Sequence, residues 1–435
     1  MSAVDASVEA EDVATPAVPW FERRRNVVSA FVGLHVVFLI ALGPAIVTGD
    51  ALGDLPLYRT WVLDAFQFGQ WPGITVPWVY PVGALAPLLA ASVAGLGAFQ
   101  LVWFLLITLL NGTSIHFLIR GGSTAGYRAA WWWLVFLLVM SPVALLRLEG
   151  FTAPLVVIAL TTLTRRPAVA AALLTAAAWI KVWPAAVLLA AGIAYRRRRP
   201  LILAALGVSV LVVGTVAALG GLRFLTGFLT TQADRGLQLE APISTPWLWL
   251  ADVRAPNTYV WQNNLLSTEE VSGPGDDVAA TVMGYALPLA LLVVAILLFR
   301  AVRARGPEPI LVVVGSLALV TTLVVFNKVG SPQYVLWIGP VVAVLVWADP
   351  QVWRVPAMLT LTIATLTTLI FPILYIPLTD GDPVAAAVLT ARNALFLVLL
   401  GWSIRRLLAL TRSPGLAAHT DAAEPVEPAE ARLLG

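Results

Sequence analysis

The chain has 435 residues, of which 59% are hydrophobic and 12% are charged, and its formal net charge at pH 7 is +3. Soluble domains carry about twice that share of charged residues, so the composition excludes an ordinary soluble domain and indicates a polytopic membrane protein. The chain has no cysteine, which excludes disulfides, thiolate metal sites and a cysteine nucleophile. Its three histidines are too scattered for a histidine-based metal site, and the charge pattern does not indicate nucleic-acid binding.

The two ends of the chain are acidic and rich in Ala and Pro, which is typical of disordered segments. We expect residues 1–22 and 412–435 to be disordered cytoplasmic tails on either side of an integral-membrane domain at 23–411. Arg23–Arg25 precede the first apolar span, so the positive-inside rule predicts a cytoplasmic N-terminus. All but two of the 27 basic residues are arginine, which, with the abundant Ala, Val and Leu, suggests a high-GC bacterium.

Six apolar segments in the first half are long enough, or nearly long enough, to cross a membrane. They are 27–48, 80–96, 99–119, 129–147, 151–164 and 168–194. The last two leave two interpretations open, because 151–164 is short and 168–194 carries Lys181 in its middle. As full crossings they place the arginines that follow 151–164 outside, against the positive-inside rule, whereas re-entrant helices that line a polar cavity avoid that conflict.

The second half of the chain divides more clearly into spans and loops. Its predicted spans are 200–220, 279–300, 309–326, 332–347, 354–376 and 384–404. Arginine clusters adjoin one end of these spans, and a long polar loop, 221–278, adjoins the other. The sequence therefore predicts an all-α polytopic protein of the plasma membrane with about 12 transmembrane or re-entrant helices, and with its large loops, 49–79 and 221–278, outside the cell.

The loop 49–79 is far longer than a connection between two spans requires, and it carries carboxylates, an arginine and several aromatic residues. Asp54 stands four residues before Tyr58 at the expected membrane surface, with Asp50 and Arg59 close by. A carboxylate there can accept a proton from a sugar hydroxyl, so Asp54 is the candidate catalytic base. The alternative is that Asp54 caps a short helix that starts at the next residue, with a proline in its first turn. The two roles are compatible, because a cap can fix a base.

Lys181 lies in an apolar segment, where an unpaired ammonium group costs at least a few kcal/mol. One interpretation is that this cation binds a lipid phosphate, and the other is that it snorkels to the cytoplasmic interface. The separation of about fifteen residues from each flanking arginine cluster is long for snorkelling, which favours the first interpretation.

Two polar segments offer further candidates for a binding site. In the turn before the span 332–347, Lys328 suits a phosphate, and Gln333 and Tyr334 suit sugar hydroxyls, unless this is an ordinary capped turn. In the long loop, Arg235 and Gln238 suit a polyprenyl phosphate or a sugar, although a solvated amphipathic helix is the commoner explanation of such a stretch.

Three other features have plainer explanations. Arg147 and Glu149 interrupt two apolar stretches, and we expect them to form a structural ion pair. Asp380-Gly381-Asp382 resembles a metal-binding acidic pair, but a match of three residues is weak and we expect no metal site. Tryptophans on the expected outer side can stack on sugars, although anchoring at the membrane interface is their usual role. These are Trp71, Trp78, Trp247, Trp249 and Trp261.

Five motifs occur in an order that resembles a known family. They are Asp54-x-x-x-Tyr58, Trp78-Val-Tyr80-Pro81, Ile180-Lys181-Val-Trp-Pro184, Arg235-Gly-Leu-Gln238-Leu-Glu240, and Lys328-Val-Gly-Ser331-Pro332-Gln333-Tyr334. Over roughly residues 27–405, the chain resembles the actinobacterial integral-membrane glycosyltransferases of superfamily C. It is most similar to family 87, which includes polyprenyl-phosphate-mannose-dependent α-mannosyltransferases. Mannolipid-specific members of that family carry a His before a late span, where this chain has Ser331-Pro332-Gln333-Tyr334.

This resemblance implies transfer of a hexose, expected to be mannose, from a polyprenyl-phosphate sugar to a glycolipid or cell-envelope glycan acceptor on the outer side of the membrane. Asp54 is then the catalytic base of an inverting reaction that uses no cofactor or metal, and membrane lipids surround the enzyme. The donor-binding residues expected are Lys181, Arg235, Lys328, Gln333 and Tyr334. Residues expected to support the site are Asp50, Tyr58, Arg59, Tyr80 and Gln238.

A lipid-linked-sugar flippase or transporter is the alternative function, since it also needs cations and a polar cavity within the membrane. Many transporters contain internal repeats, and this sequence shows none. An inactive glycosyltransferase fold that acts as a cell-wall scaffold is a third possibility, and the presence of Asp54 argues against it.

Overall fold

The computed structural model describes residues 18–49, 53–233, 235–263 and 268–412, and helices account for most of them. The helices of the first half are α1 (Arg24–Thr48), α2 (Leu55–Phe68), α3 (Leu85–Ser92), α4 (Phe99–Ile119), α5 (Thr124–Val139), α6 (Val143–Leu146), α7 (Glu149–Thr162), α8 (Pro167–Ile180), α9 (Pro184–Ala194) and α10 (Arg198–Ala218). The helices of the second half are α11 (Gly227–Ala233), α12 (Thr245–Asp252), α13 (Asp276–Arg305), α14 (Pro309–Val325), α15 (Val335–Ala348), α16 (Arg354–Thr368), α17 (Tyr375–Thr379) and α18 (Pro383–Arg412).

Within the described residues, six helices are long and apolar enough to cross a membrane. They are α1, α4, α10, α13, α18 and the run Arg354–Ile373 that begins with α16. Large apolar side chains on α1, α10 and α13, such as Val36, Leu211 and Leu289, are exposed. Continuous apolar surface of this extent is stable in lipid rather than in water. The chain is therefore a helical membrane protein.

Shorter apolar helices form the centre of the bundle. α14 and α15 bury nearly all of their side chains, and α7 is buried along almost its whole length. α14 packs against α9, α13, α15 and α18, while α7 packs against α4, α8 and α15. A helix that is apolar on every side needs an apolar environment all round. Here neighbouring helices supply that environment, and the longer helices make up the outer layer.

Several predicted spans are shorter or more broken than the sequence suggested. The affected segments are 80–96, 129–147, 168–194 and 354–376, whereas α7 is as short as the predicted segment 151–164. Pro142, Pro184 and Pro372 stand at three of the breaks, because proline lacks the N–H that a helix needs and restricts the residue before it. In particular, α8 and α9 are separate helices, and Lys181 lies in extended backbone between them rather than inside a single helix.

The described part of the chain begins at Val18, within the predicted N-terminal tail 1–22. Trp20–Glu22 forms one 3₁₀ turn, in which the Trp20 ring packs edge-on against Trp131 with 5.4 Å between ring centroids. The indole N–H of Trp131 also donates to the Phe21 carbonyl at 2.9 Å. These aromatic contacts hold the segment on α5, whereas residues 1–17 and 413–435 of the two predicted tails lie outside the described residues.

A small antiparallel sheet lies in the segment 221–278, which was predicted only as a loop. Its strands are β1 (Leu237–Gln238), β2 (Tyr259–Asn263) and β3 (Thr268–Ser272), in the order β1-β3-β2. Apolar side chains of this sheet and of α12 pack against α17 and α18. The expectation of a solvated amphipathic helix near Arg235 is therefore wrong, because pairing with β3 satisfies the backbone there and Gln238 and Glu240 are buried.

A buried ion pair joins this sheet module to α18. Nη1 of Arg392 lies 2.5 Å from Oε2 of Glu240, and Nη2 donates to the Glu240 carbonyl at 2.6 Å. Asn393 accepts a hydrogen bond from Arg392 at 3.0 Å and donates one to the Thr245 hydroxyl at 3.0 Å. Arg392 is 2% exposed and Glu240 is 4% exposed, so each charge depends on the other for compensation.

We expect Arg392→Met to destabilise the protein by about 3–5 kcal/mol, because it leaves Glu240 buried without its cation. The double replacement Glu240→Gln with Arg392→Met is expected to recover part of that loss. The measurement is the melting temperature in nanodiscs, followed by tryptophan fluorescence. Arg405→Met, at an exposed position on α18, is the control. An Arg392→Met protein that melts at the wild-type temperature would contradict a stabilising role for the pair.

Candidate active site

Asp54 stands at the start of α2, which begins at Leu55 with Pro56 in its first turn, as predicted. Its carboxylate does not cap that helix. Instead it forms an ion pair with Arg147, and its other oxygen accepts a hydrogen bond from the Tyr58 hydroxyl at 3.1 Å. The capping alternative is thus wrong for the side chain, because stronger partners are within reach. The Asp54 side chain remains 23% exposed, so the oriented carboxylate is open to the space beside it.

Tyr58 orients the Asp54 carboxylate through its hydroxyl group. Its ring is fully buried, stacks on Trp61 with 5.6 Å between ring centroids, and lies one helical turn from Asp54. Burial, followed by the negative charge of Asp54, raises the pKa of the Tyr58 hydroxyl well above its usual value. The hydroxyl therefore keeps its proton and remains a donor to the carboxylate.

Lys181 is buried and paired inside the protein. Its Nζ lies 3.1 Å from Oε1 of Glu149, which is fully buried, and 4.0 Å from the centroid of the Tyr80 ring. The snorkelling interpretation is wrong because the break between α8 and α9 turns the side chain toward these partners. The ammonium group is thus held at a fixed position by a carboxylate and an aromatic face.

The expected pairing of Arg147 with Glu149 is also wrong. Arg147 follows α6 directly and Glu149 begins α7, and each has a different partner: Arg147 binds Asp54, and Glu149 binds Lys181. Each pair joins this short connection to a segment distant in sequence. An arginine and a glutamate that interrupt apolar helices are unusual enough to mark a functional region. That signal was present in the sequence, but partner choice depends on the fold.

The turn before α15 forms another wall of the site. The Gly330 N–H donates to Oε1 of Gln238 at 3.1 Å, and the Gln238 N–H donates to the Lys328 carbonyl at 3.0 Å. A Cβ at Gly330 would lie 2.1 Å from the backbone nitrogen of Ala241, so only glycine fits this close approach. The turn is thus bonded to the sheet module. The Tyr334 ring stacks on Trp337 with 3.9 Å between ring centroids.

Two adjoining cavities meet at these residues. The first has a volume of about 290 Å³ and polar walls that include Asp54, Arg147 and Glu269. The second has a volume of about 840 Å³ and is bordered mainly by apolar side chains of α11, α13 and α14. Five residues line both: Val79, Tyr80, Lys181, Arg235 and Tyr334. Two cations therefore stand where a polar cavity meets an apolar one.

The structure brings most of the predicted site residues to these cavities. The first cavity is also lined by Gln238 and Gln333, and the second by Lys328. Tyr58 lies behind Asp54, and Arg59 lines neither cavity, with its Nη1 directed toward Gly49. Asp50 lies outside the described residues.

Other lining residues were not predicted as site residues. They include Arg147 and Glu240, which the sequence analysis named without a binding role, and Glu269, Phe371 and Tyr375. Glu269 belongs to β3, and no strand was predicted there. Burial raises the pKa of its carboxyl.

The acidic turn at Asp380–Asp382 has a structural role. Oδ1 of Asp382 accepts hydrogen bonds from the N–H groups of Val384 at 2.9 Å and Ala385 at 2.8 Å, which caps the first turn of α18. Throughout the part of the chain that the structure describes, histidine and carboxylate side chains form no group of three suited to a metal ion.

Trp78 and Trp261 also differ from simple membrane anchors. Trp78 is 4% exposed and packs edge-on against Trp61 and Tyr80. The Trp261 indole donates to the Ser272 hydroxyl at 3.0 Å across the sheet. Trp78 thus packs behind two rings that line the polar cavity, and Trp261 joins β2 to β3, while neither ring lines a cavity itself.

Comparison of the chain with family models, with curated proteins and with solved structures gave no match. The functional argument is therefore built from the residues of this chain and their arrangement in the two cavities.

Proposed function

We propose that this protein is a membrane glycosyltransferase of the superfamily C type. It moves a hexose, expected to be mannose, from a polyprenyl-phosphate donor to a glycolipid or glycan acceptor on the extracytoplasmic face of the plasma membrane. The observation that carries the proposal is the junction of the two cavities, where Lys181 and Arg235 separate an apolar space from a polar one that contains an open carboxylate. A lipid phosphate sugar has the same order of parts: an apolar tail, an anion and a polyol.

The cavity volumes agree with a lipid tail in the apolar cavity and a sugar in the polar cavity. Pockets that bind small molecules have volumes of about 300–1,000 Å³. The polar cavity, at about 290 Å³, suits a single sugar unit and the acceptor group that approaches it. The apolar cavity, at about 840 Å³, suits the first isoprene units of a lipid tail.

Asp54 acts as the general base in the proposed reaction. It removes the proton of the acceptor hydroxyl, whose oxygen forms a bond to the anomeric carbon as the bond from that carbon to the phosphate oxygen breaks. The electron pair leaves with the lipid phosphate, and the configuration at the anomeric carbon inverts. Arg147 and Tyr58 hold the carboxylate in place. Preorganised groups of this kind contribute to catalysis because they do not reorganise during the reaction.

Lys181 and Arg235 stabilise the negative charge that develops on the leaving phosphate. An oriented cation in a site with little water stabilises developing charge more than the same cation in solution. The chemistry requires one base and one anion-binding group, and this chain supplies both from its own side chains.

We expect Asp54→Asn to lower the rate of sugar transfer by about 10²–10⁴-fold, because general-base catalysis contributes about that factor. The assay uses the protein in lipid nanodiscs with radiolabelled polyprenyl-phosphate-mannose, a membrane lipid extract as acceptor, and EDTA. Asp64→Asn, on the same helix but lining neither cavity, is the matched control and is expected to keep wild-type turnover.

Near-normal turnover by folded Asp54→Asn would remove Asp54 from the mechanism. If wild-type protein carries labelled donor across proteoliposome membranes and forms no glycosidic product with any donor sugar, the flippase alternative replaces the transferase. Product formed only without EDTA would contradict the expected metal independence.

Lys181 offers a second test, because Glu149 competes with phosphate for its ammonium group. We expect Glu149→Gln to preserve donor binding or to strengthen it. The double variant Glu149→Gln with Lys181→Met avoids an isolated buried carboxylate and is expected to weaken donor binding by about 10–100-fold, the value of a charge-assisted hydrogen bond. The measurement is the donor Kd in nanodiscs. Equal affinities for the two variants would exclude Lys181 from donor binding.

A further inference from the structure

The wall of the polar cavity has two parts. One part is shared with the apolar cavity, and under the proposed function it faces the donor. The other part belongs to the polar cavity alone and includes Asp54, Trp61, Glu269 and Tyr375. Because the acceptor hydroxyl must approach Asp54, this second part of the wall faces the acceptor.

Glu269 differs from the other charged side chains on the acceptor side. Arg147 is paired with Asp54, and Glu240 is paired with Arg392. The Glu269 carboxylate forms no hydrogen bond or ion pair with any residue in the described part of the chain. A half-buried carboxylate without such partners retains its full capacity to accept hydrogen bonds from a ligand.

The sheet holds Glu269 in a defined orientation. Its carbonyl accepts a hydrogen bond from the Leu239 N–H at 2.9 Å, and it stands opposite Gln262 in the register of β2 and β3. Side chains alternate along a strand, so Glu269 shares its face with Val271, while Glu270 lies on the other face. Glu270 accepts a hydrogen bond from Asn263 at 3.0 Å, and it lines neither cavity.

The chemistry around Glu269 suits a sugar. The two oxygens of a carboxylate can accept hydrogen bonds from two neighbouring hydroxyl groups, and aromatic side chains such as Trp61 and Tyr375 offer apolar surface to the sugar ring. Glu269 is close enough to Tyr375 to act on it electrostatically. Its negative charge also repels ligands that carry phosphate or carboxylate groups.

We propose that Glu269 binds the acceptor through two hydroxyl groups next to the one that reacts, and that it thereby selects an uncharged sugar over an anionic one. This inference rests on the proposed glycosyltransferase function. Glu269 holds the acceptor while Asp54 takes the proton, so the two carboxylates have separate roles on one substrate.

The test compares wild-type protein with Glu269→Gln, which preserves the size of the side chain and removes its charge. In nanodiscs with labelled donor, the variant is expected to raise the acceptor KM about tenfold, as loss of a charged hydrogen-bond acceptor does, with kcat and donor Kd unchanged. Glu270→Gln, at the next position on the same strand, is the control. The melting temperature of each variant checks that it is folded.

A second measurement separates recognition from general damage to the site. The probes are octyl hexosides and the corresponding octyl uronides, which carry a carboxylate at C6. Wild-type protein is expected to prefer the uncharged hexoside, and Glu269→Gln is expected to reduce that preference about tenfold, because the repulsive charge is gone.

The outcomes distinguish this inference from the function on which it rests. If wild-type protein transfers sugar but Glu269→Gln leaves both the acceptor KM and the preference unchanged, the inference is overturned and the glycosyltransferase stands. Loss of donor binding in Glu269→Gln also overturns it, since Glu269 then serves the donor. Absence of transfer by wild-type protein with every donor sugar overturns the proposed function and this inference with it.

Discussion

Three buried or half-buried ion pairs hold this apolar bundle together, and the arrangement of the site depends on them. An isolated charge within a membrane protein is costly, so buried charges find partners of opposite sign. Asp54 pairs with Arg147, Glu149 with Lys181, and Glu240 with Arg392. Each pair joins segments far apart in sequence, and each includes at least one residue that lines the polar cavity. The same contacts that satisfy the charges therefore assemble the walls of the site.

The breaks in the helices have a related role. Backbone without helical hydrogen bonds is tolerated at membrane depth only where protein or a polar cavity surrounds it. Lys181 lies in the extended connection between α8 and α9, Arg147 lies between α6 and α7, and Phe371 lies in the irregular turn after α16. All three residues line the polar cavity. Helix breaks thus supply the side chains that an uninterrupted helix would have directed elsewhere.

The roles proposed for these residues follow from where the polar and apolar cavities meet. The two cations lie at the boundary between the apolar and polar cavities, while the carboxylates of Asp54 and Glu269 lie on the polar side. A donor that is apolar at one end and polar at the other has only one orientation in such a site. In the proposed reaction the acceptor approaches from the side of the sheet module, which Arg392 joins to α18.

The sequence by itself determined that this is a helical membrane protein, because its repeated apolar runs have the length and composition of membrane-spanning helices. It also located α1, α4 and the start of α2, and it identified Lys181, Arg235 and Tyr334 as polar residues in unusual places. The interruptions within 80–96, 129–147 and 354–376 and the sheet were not predicted, since they depend on contacts between distant segments, whereas a re-entrant 168–194 was one of the two interpretations that the sequence left open.

Pairing of charges was decided only by the tertiary structure. Arg147 and Glu149 are near neighbours in sequence, yet they bind Asp54 and Lys181. In the sequence, Glu269 lies in a segment predicted only as a loop. In the structure, it belongs to β3 and lines the polar cavity. Sequence spacing shows that a charge needs a partner, but which partner it finds depends on how the helices and loops pack together.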